Sequence, residues 1–135
     1  MNALQAYQQV NTQTSITDAD PHKLIQLLLD GALERINMAK NRIQAKDYAG
    51  KGNLIGKTME IIGGLRGALD FEQGGELAAN LEALYDYMER GLLEASVRND
   101  VEKLDEIAGL LRTIKEGWEG IREEAVDFLR QRDAG

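Results

Sequence analysis

The sequence predicts an all-α protein, an antiparallel four-helix bundle with a short accessory helix at its N-terminus. Three observations predict this class. Long segments repeat apolar residues every three or four positions, alternating β-branched runs are almost absent, and the 135 residues contain a single proline. The length favours one domain over residues 1–135. Within it, residues 1–10 form an N-terminal segment, residues 11–20 a polar linker, and residues 21–130 the bundle.

Composition and charge narrow the possible functions. The formal net charge is −7, with +2 carried up to Leu69 and −9 from Asp70 onward. Such an acidic chain repels phosphate backbones, so we expect no nucleic-acid partner. Cysteine is absent, which excludes disulfides and thiolate metal sites. No signal peptide or membrane-spanning apolar stretch is recognisable, so we expect a cytosolic protein without membrane insertion.

The N-terminal segment is amphipathic but short. Its apolar side chains Leu4, Tyr7 and Val10 recur every three residues. So few helical turns are not stable alone in water, so the segment either docks on another surface or is disordered. Its spacing and the polar linker behind it predict a lid, residues 1–10, that covers apolar surface of the bundle.

The first two long helices each carry more apolar surface than one face requires. The first is predicted from the Asp20-Pro21 pair to about Lys46, because Asp caps a helix and Pro suits its first position. Asp47 is a plausible cap for the second helix, over residues 48–71. Six glycines interrupt that second helix, and we favour close backbone packing as their reason.

Corners and caps separate the last two helices. The Gly74-Gly75 pair predicts a helix exit, followed by a third helix over residues 76–97. Asn99 with Glu102 three residues later has the spacing of a capping box and predicts the start of the fourth helix.

The fourth helix has the most regular pattern in the chain. Its apolar residues follow one another at alternating steps of three and four, the seam typical of left-handed helix packing. The members of this seam are Leu104, Ile107, Leu111, Ile114, Trp118, Ile121, Ala125 and Phe128. Four long helices with short corners predict the antiparallel bundle.

The residues that catalysis would need are missing from their usual places. His22 is the only histidine, which excludes the di-iron sites of helical bundles. Its position in the first helical turn favours a surface or capping role over that of a phospho-acceptor, although a phosphotransfer domain stays an alternative. No phosphate-binding loop is present and no base adjoins a serine. We therefore expect no enzyme, no metal site and no cofactor.

The surplus apolar stripes have two interpretations, and the spacing of the apolar residues does not favour either. Both stripes of a helix are buried in the core of one bundle or of a self-associating bundle, or one stripe forms a groove for a partner helix. The candidate groove residues are Ile25, Leu29, Leu33 and Ile36 on the first long helix and Leu54, Ile61 and Leu65 on the second.

Four blocks in register resemble a known family. They are AYQQV (6–10), PHKLIQLLLDGAL (21–33), LDFEQGGELAANLEALYDYM (69–88) and RNDVEKLDEIAGLL (98–111), followed by Trp118. These blocks are similar to the FliS family, the flagellar secretion chaperones, over essentially the whole chain. Two departures are a leucine at position 29, where the family often has tyrosine, and a glycine-rich last helix.

The resemblance implies a function. Members of the family are cytosolic, non-enzymatic chaperones of flagellar type III export. They bind the C-terminal helices of flagellin, block its premature polymerisation and deliver it to the export gate. It further implies partner-binding roles for Ala6, Tyr7 and Val10 in the AYQQV block, with the cytosolic domain of the export-gate membrane protein as a second partner. This implication favours the groove interpretation of the surplus stripes.

Overall fold

The computed structural model describes residues 21–120, in which four α-helices are joined by short corners. The predicted all-α class and the four-helix bundle are confirmed over these residues. The N-terminal segment, the linker and the predicted end of the fourth helix lie outside the described residues. The helices are α1 (Pro21–Gln44), α2 (Tyr48–Gly67), α3 (Phe71–Arg98) and α4 (Val101–Gly120).

The helices are arranged in a ring in which each packs against the two that adjoin it. Helix α1 packs against α2 and α4, and α3 packs against the same two helices. His22 at the start of α1 lies beside Trp118 at the end of α4, so these two helices are antiparallel. Lys51 near the start of α2 reaches Ser96 near the end of α3, so the same holds for that pair. We call the end where α1 and α3 begin the proximal end, and the opposite end the distal end.

The core draws apolar side chains from all four helices. Its largest fully buried members are Leu28, Leu29, Ile36, Ile55, Ile61, Ile62, Leu65, Met88, Leu92, Leu104 and Ile107. The α4 seam is buried at Leu104, Ile107 and Leu111 and partly buried at Ile114 and Trp118. Removing this apolar area from water is the main force that holds the bundle together.

Tyr85 places a phenol in this core, with 3% of its surface exposed. Burial disfavours the phenolate and raises the pKa of Tyr85 to about 12. Because the unfolded-chain value is about 10, its contribution to stability is intact below that pH and is lost as the pH rises from about 10 to about 12.

We therefore expect Tyr85→Phe to flatten the loss of stability in this alkaline range. The substitution should remove about 2–3 kcal/mol of the loss in unfolding free energy, since one pKa unit corresponds to about 1.4 kcal/mol. Urea unfolding of parent and variant at a series of pH values measures it, with Tyr48→Phe at an exposed position as the control. Parallel curves for parent and Tyr85→Phe would contradict the burial of this phenol.

N-capping side chains account for two of the short connections between helices. The predicted cap Asp47 is confirmed, since its Oδ1 accepts a hydrogen bond from the Gly50 N–H at 3.0 Å. The prediction that Asn99 caps the fourth helix was wrong. Asn99 ends α3 in the left-handed region, with φ 54°, and Asp100 Oδ1 accepts the Lys103 N–H at 3.1 Å instead. Asparagine tolerates that backbone region better than most residues, so Asn99 ends α3. Asp100 then caps the start of α4.

The predicted corner at Gly74-Gly75 is a kink within α3 and not the junction of the second and third helices. Helix α2 already ends at Gly67, and Asp70 begins α3 by accepting the backbone N–H groups of Glu72 and Gln73, each at 3.1 Å. Gly75 instead forms a bend inside α3, with φ 51° and ψ −123°. That conformation is accessible to glycine at little cost, so the pair marks a kink rather than a helix exit.

Candidate partner-binding surface

The predicted partner-binding residues separate into three groups. The residues of the AYQQV block, Ala6, Tyr7 and Val10, lie outside the described residues. Four others belong to the core, with at most 2% of their surface exposed: Leu29, Ile36, Ile61 and Leu65. The remaining three are partly buried against that core: Ile25, Leu33 and Leu54. In this conformation the two helices therefore use both apolar stripes largely for their own packing, and contact of these side chains with a partner stays a prediction.

His22 is buried, so the expected surface role was wrong. Its ring stacks on Trp118 with centroids 4.7 Å apart and planes 5° from parallel. The two residues also exchange contacts with each other's backbone. Trp118 Nε1 donates to the His22 carbonyl at 2.9 Å, and His22 Nε2 lies 2.6 Å from the Trp118 carbonyl. A fully covered ring held in this way is a poor phospho-acceptor, because transfer requires access to a ring nitrogen.

The glycines of α2 lie on an open face. A Cβ added at Gly52, Gly56 or Gly63 would meet no other atom within 4 Å. The expected close packing was therefore wrong at these three positions. Their steps of four and seven keep them on one side of the helix, where the bare backbone is accessible to an approaching chain.

Two exposed apolar side chains lie on the neighbouring helix. Leu93 and Val97 are one turn apart on α3 and are 58% and 76% exposed. The Lys51 ammonium donates to the Ser96 carbonyl at 2.7 Å, which places the first turn of α2 beside the last turn of α3. Gly52 and Gly56 at this end of α2 and these two side chains of α3 therefore lie at the same end of the bundle. We call the surface formed by Gly52 and Gly56 of α2 and Leu93 and Val97 of α3 the outer groove.

The sequence interpretation missed Leu93 and Val97. A signal was present, because neither residue falls on the face formed by Leu81, Leu84 and Met88. Apolar residues off the core face of a helix that already has a complete core stripe indicate surface available for contact.

An ion cluster joins α2 to α3 at the other end of this helix pair. Arg66 Nε donates to Glu82 at 2.6 Å, and its other nitrogens reach Glu89 at 3.0 Å and Asp86 at 3.4 Å. The hydrogen bond to Glu82, together with the charges of all three carboxylates, outweighs partial desolvation and raises the pKa of Arg66. Arg66 therefore stays charged at every accessible pH and ties the end of α2 to α3.

We expect Gly56→Ala to raise the free energy of unfolding by about 0.5–1 kcal/mol, the usual difference between these residues inside a helix. Space is available, since nothing lies within 4 Å of the added methyl group. Urea unfolding measures the change. Gly91→Ala is the matched control and should gain less, because its Cβ would meet Ile107 Cδ1 at 3.0 Å. A less stable Gly56→Ala protein would show that this face is covered.

The described helices set the class of the protein. Within residues 21–120, no helix combines the length and hydropathy needed to cross a bilayer. These helices define the class of antiparallel four-helix bundle proteins. The family model of the flagellar protein FliS matches residues 3–125, and the chain belongs to this family.

Curated relatives agree with the family match. The chain is 51% identical over 121 residues to the flagellar secretion chaperone FliSB of Pseudomonas aeruginosa, covering 90% of this chain and 96% of that protein. It is 42% identical over 125 residues to the flagellar secretion chaperone FliS of Salmonella typhimurium, covering 92% and 93% of the two chains. The FliS of Escherichia coli is 40% identical over 115 residues, covering 84% and 85%. The protein is thus a flagellar export chaperone, and its family is not an enzyme family.

Proposed function

We propose that this chaperone binds the C-terminal helices of flagellin in the cytosol, prevents their premature polymerisation and delivers the subunit to the type III export apparatus. The observation that carries the proposal is the similarity to flagellar secretion chaperones over 90% of the chain. The outer groove gives such a partner a physical place to bind.

The outer groove suits an amphipathic helix. Gly52 and Gly56 leave backbone uncovered, so a partner helix can approach closely, and Leu93 and Val97 meet its apolar face. A segment that is disordered before binding must be ordered, which costs about 2–5 kcal/mol or more of the interaction energy. Burial of these exposed leucine and valine side chains offsets part of that cost.

The apolar stripes predicted from sequence form a second contact surface, which is available to a partner only when the bundle opens. Leu29, Ile61 and Leu65 contact a partner only if α1 and α2 separate, since they are at most 2% exposed when the bundle is closed. Opening would expose core that stabilises the fold. The outer groove requires no such opening and is therefore the first contact surface in this proposal.

A polymerisation assay tests the proposed function. Purified flagellin is seeded and its assembly is followed by light scattering, with and without an equimolar amount of the chaperone. We expect the chaperone to delay or abolish assembly, and flagellin lacking its C-terminal segment to stay unbound in a parallel pull-down. Assembly that proceeds equally fast with the chaperone present would contradict the proposal.

The N-terminal segment regulates access to the outer groove in this proposal. Residues 1–10 act as a lid over part of the outer groove, tethered by residues 11–20, and their Tyr7 block serves the cytosolic domain of the export gate once released. The ten-residue linker spans up to about 33 Å when fully extended, which limits how far from Pro21 the lid can reach. A short tether gives an effective concentration on the order of millimolar, so a weak contact is mostly closed without flagellin.

Deleting residues 1–14 tests the lid. We expect the truncated chain to stay folded, to bind flagellin as well as or better than the parent, because the closed fraction no longer competes, and to self-associate more when empty. Calorimetry and sedimentation measure the last two effects. Weaker flagellin binding by the folded truncation would instead assign the segment to direct contact with flagellin.

A further inference from the structure

The first turn of α3 is set apart from the rest of that helix. Gly75 has φ 51° and ψ −123°, values outside the helical region, so α3 bends there. Asp70 caps the turn before the bend by accepting the N–H groups of Glu72 and Gln73, each at 3.1 Å. Phe71 lies in this turn with 53% of its surface exposed. A turn with its own cap thus holds a large apolar side chain outside the core.

Two glycines meet at the bend, and the bend requires each of them for a different reason. The positive φ of Gly75 is a conformation that residues with a Cβ rarely adopt. A Cβ at Gly74 would lie 2.9 Å from the Ala78 Cβ, which is closer than two carbons pack. In a regular helix the Cβ atoms of residues four apart are about 5–6 Å apart, so this crowding belongs to the bent form alone. Alanine at either position would therefore disfavour the bend and fit a straight helix.

The core stripe of α3 leads back to Phe71. Ala78, Tyr85 and Leu92 follow one another at steps of seven, and each is at most 3% exposed. Seven residues make nearly two full turns of a helix, so one further step back along a continuous α3 reaches Phe71 on the same face. Phe71 therefore belongs by sequence to a buried stripe, and the bend at Gly75 removes it from that stripe.

A continuous α3 would bring Phe71 to the end of the core. Trp118 stacks on His22 at the proximal end and packs against the core. Lys103 Nζ contacts Tyr87 Oη at 2.9 Å, which sets the level of α4 against α3. Equal rise along these antiparallel helices from that contact brings Phe71 of a continuous α3 to the level of Trp118. An apolar ring at this level on the core face would be removed from water, which stabilises the straight form.

We propose that the Gly74-Gly75 pair is a joint that switches α3 between two states. In the bent state, which the structure shows, Phe71 is exposed at the proximal end. In the straight state, α3 is continuous and Phe71 packs on the core stripe. The switch thus decides whether the proximal end offers this apolar side chain to another molecule. The joint lies at the opposite end of the bundle from the outer groove and does not depend on flagellin.

Fluorine NMR of the full chain follows Phe71 without replacing it. The chain holds two phenylalanines, so incorporation of para-fluorophenylalanine labels two rings, and Phe128→Leu assigns the signal of Phe71. The change in the fluorine chemical shift between light and heavy water measures how far the Phe71 ring is exposed to solvent. Circular dichroism of the same samples measures the helical content.

Alanine substitution at the joint provides the test. Gly74→Ala/Gly75→Ala disfavours the bend at both of the glycines that it requires. Gly63→Ala/Gly109→Ala is the matched control, since it adds the same two methyl groups at helical positions where a Cβ would meet no other atom within 4 Å. The control therefore raises helix propensity without acting on the bend.

We expect Gly74→Ala/Gly75→Ala to reduce the solvent isotope shift of Phe71 roughly threefold, because the shift averages over the exposed and the covered populations. The helical content should stay at the parent level or rise, and the control should keep the isotope shift of the parent. An unchanged isotope shift in the joint variant would overturn the proposal, since Phe71 would then stay exposed with the bend disfavoured. A fall in helical content would also overturn it, because the turn would then unwind instead of joining a straight helix.

Discussion

Ile61→Asp is expected to unfold the bundle rather than to weaken partner binding selectively. Ile61 is 1% exposed within the core, where a carboxylate has no partner and loses its hydration. Loss of a large apolar side chain combined with burial of an unpaired charge costs about 4–5 kcal/mol or more. That is comparable with the whole stability of many domains, about 5–15 kcal/mol. Thermal melting followed by circular dichroism measures the loss.

Lys57→Asp is the matched control for this variant. Lys57 lies one turn earlier on the same helix at an exposed position, so the same new residue is solvated there. We expect its melting temperature to stay close to that of the parent. If Ile61→Asp melted like the parent and only lost flagellin binding, Ile61 would belong to an open partner groove and the assignment of the core would be wrong.

The double variant Leu93→Asp with Val97→Asp is expected to stay folded and to lose flagellin affinity. Both side chains are mostly exposed in the free bundle, so two carboxylates are tolerated there. In the complex they would face the apolar side of the partner helix and lose hydration. A loss of about 2–3 kcal/mol corresponds to a 30- to 150-fold increase in Kd, roughly.

Met38→Asp provides the comparison for this loss. Met38 is an exposed apolar residue on α1, away from the outer groove, and receives the same substitution. Calorimetric titration with flagellin should give the parent affinity for Met38→Asp and a much weaker one for the double variant. Equal affinities for the two variants would show that the outer groove does not bind flagellin.

The spacing of apolar residues predicted the fold well because the helices of the bundle pack through regularly spaced apolar seams. The seam from Leu104 to Trp118 alternates steps of three and four, and the structure buries it from Leu104 through Leu111. The cap at Asp47 was also readable, because an aspartate before a helix has a local mechanism. Local patterns of this kind require no knowledge of the neighbouring helices.

The candidate site could not be derived in the same way. A bundle helix contacts two neighbours, so the two stripes of α2, with Ile61 and Leu65 on the second, are both used within one bundle. Periodicity gives the angle between stripes but not the number of neighbours that cover them. The stacking of His22 on Trp118 joins residues that are far apart in sequence, and no local signal pairs them.

Calorimetric titration of the full chaperone with two proteins tests the proposed binding to the flagellin C-terminus. One is intact monomeric flagellin and the other is the same flagellin without its C-terminal segment. The proposed function predicts saturable binding of the intact protein and no measurable binding of the truncated one. Equal binding of both flagellins, or of neither, would contradict it.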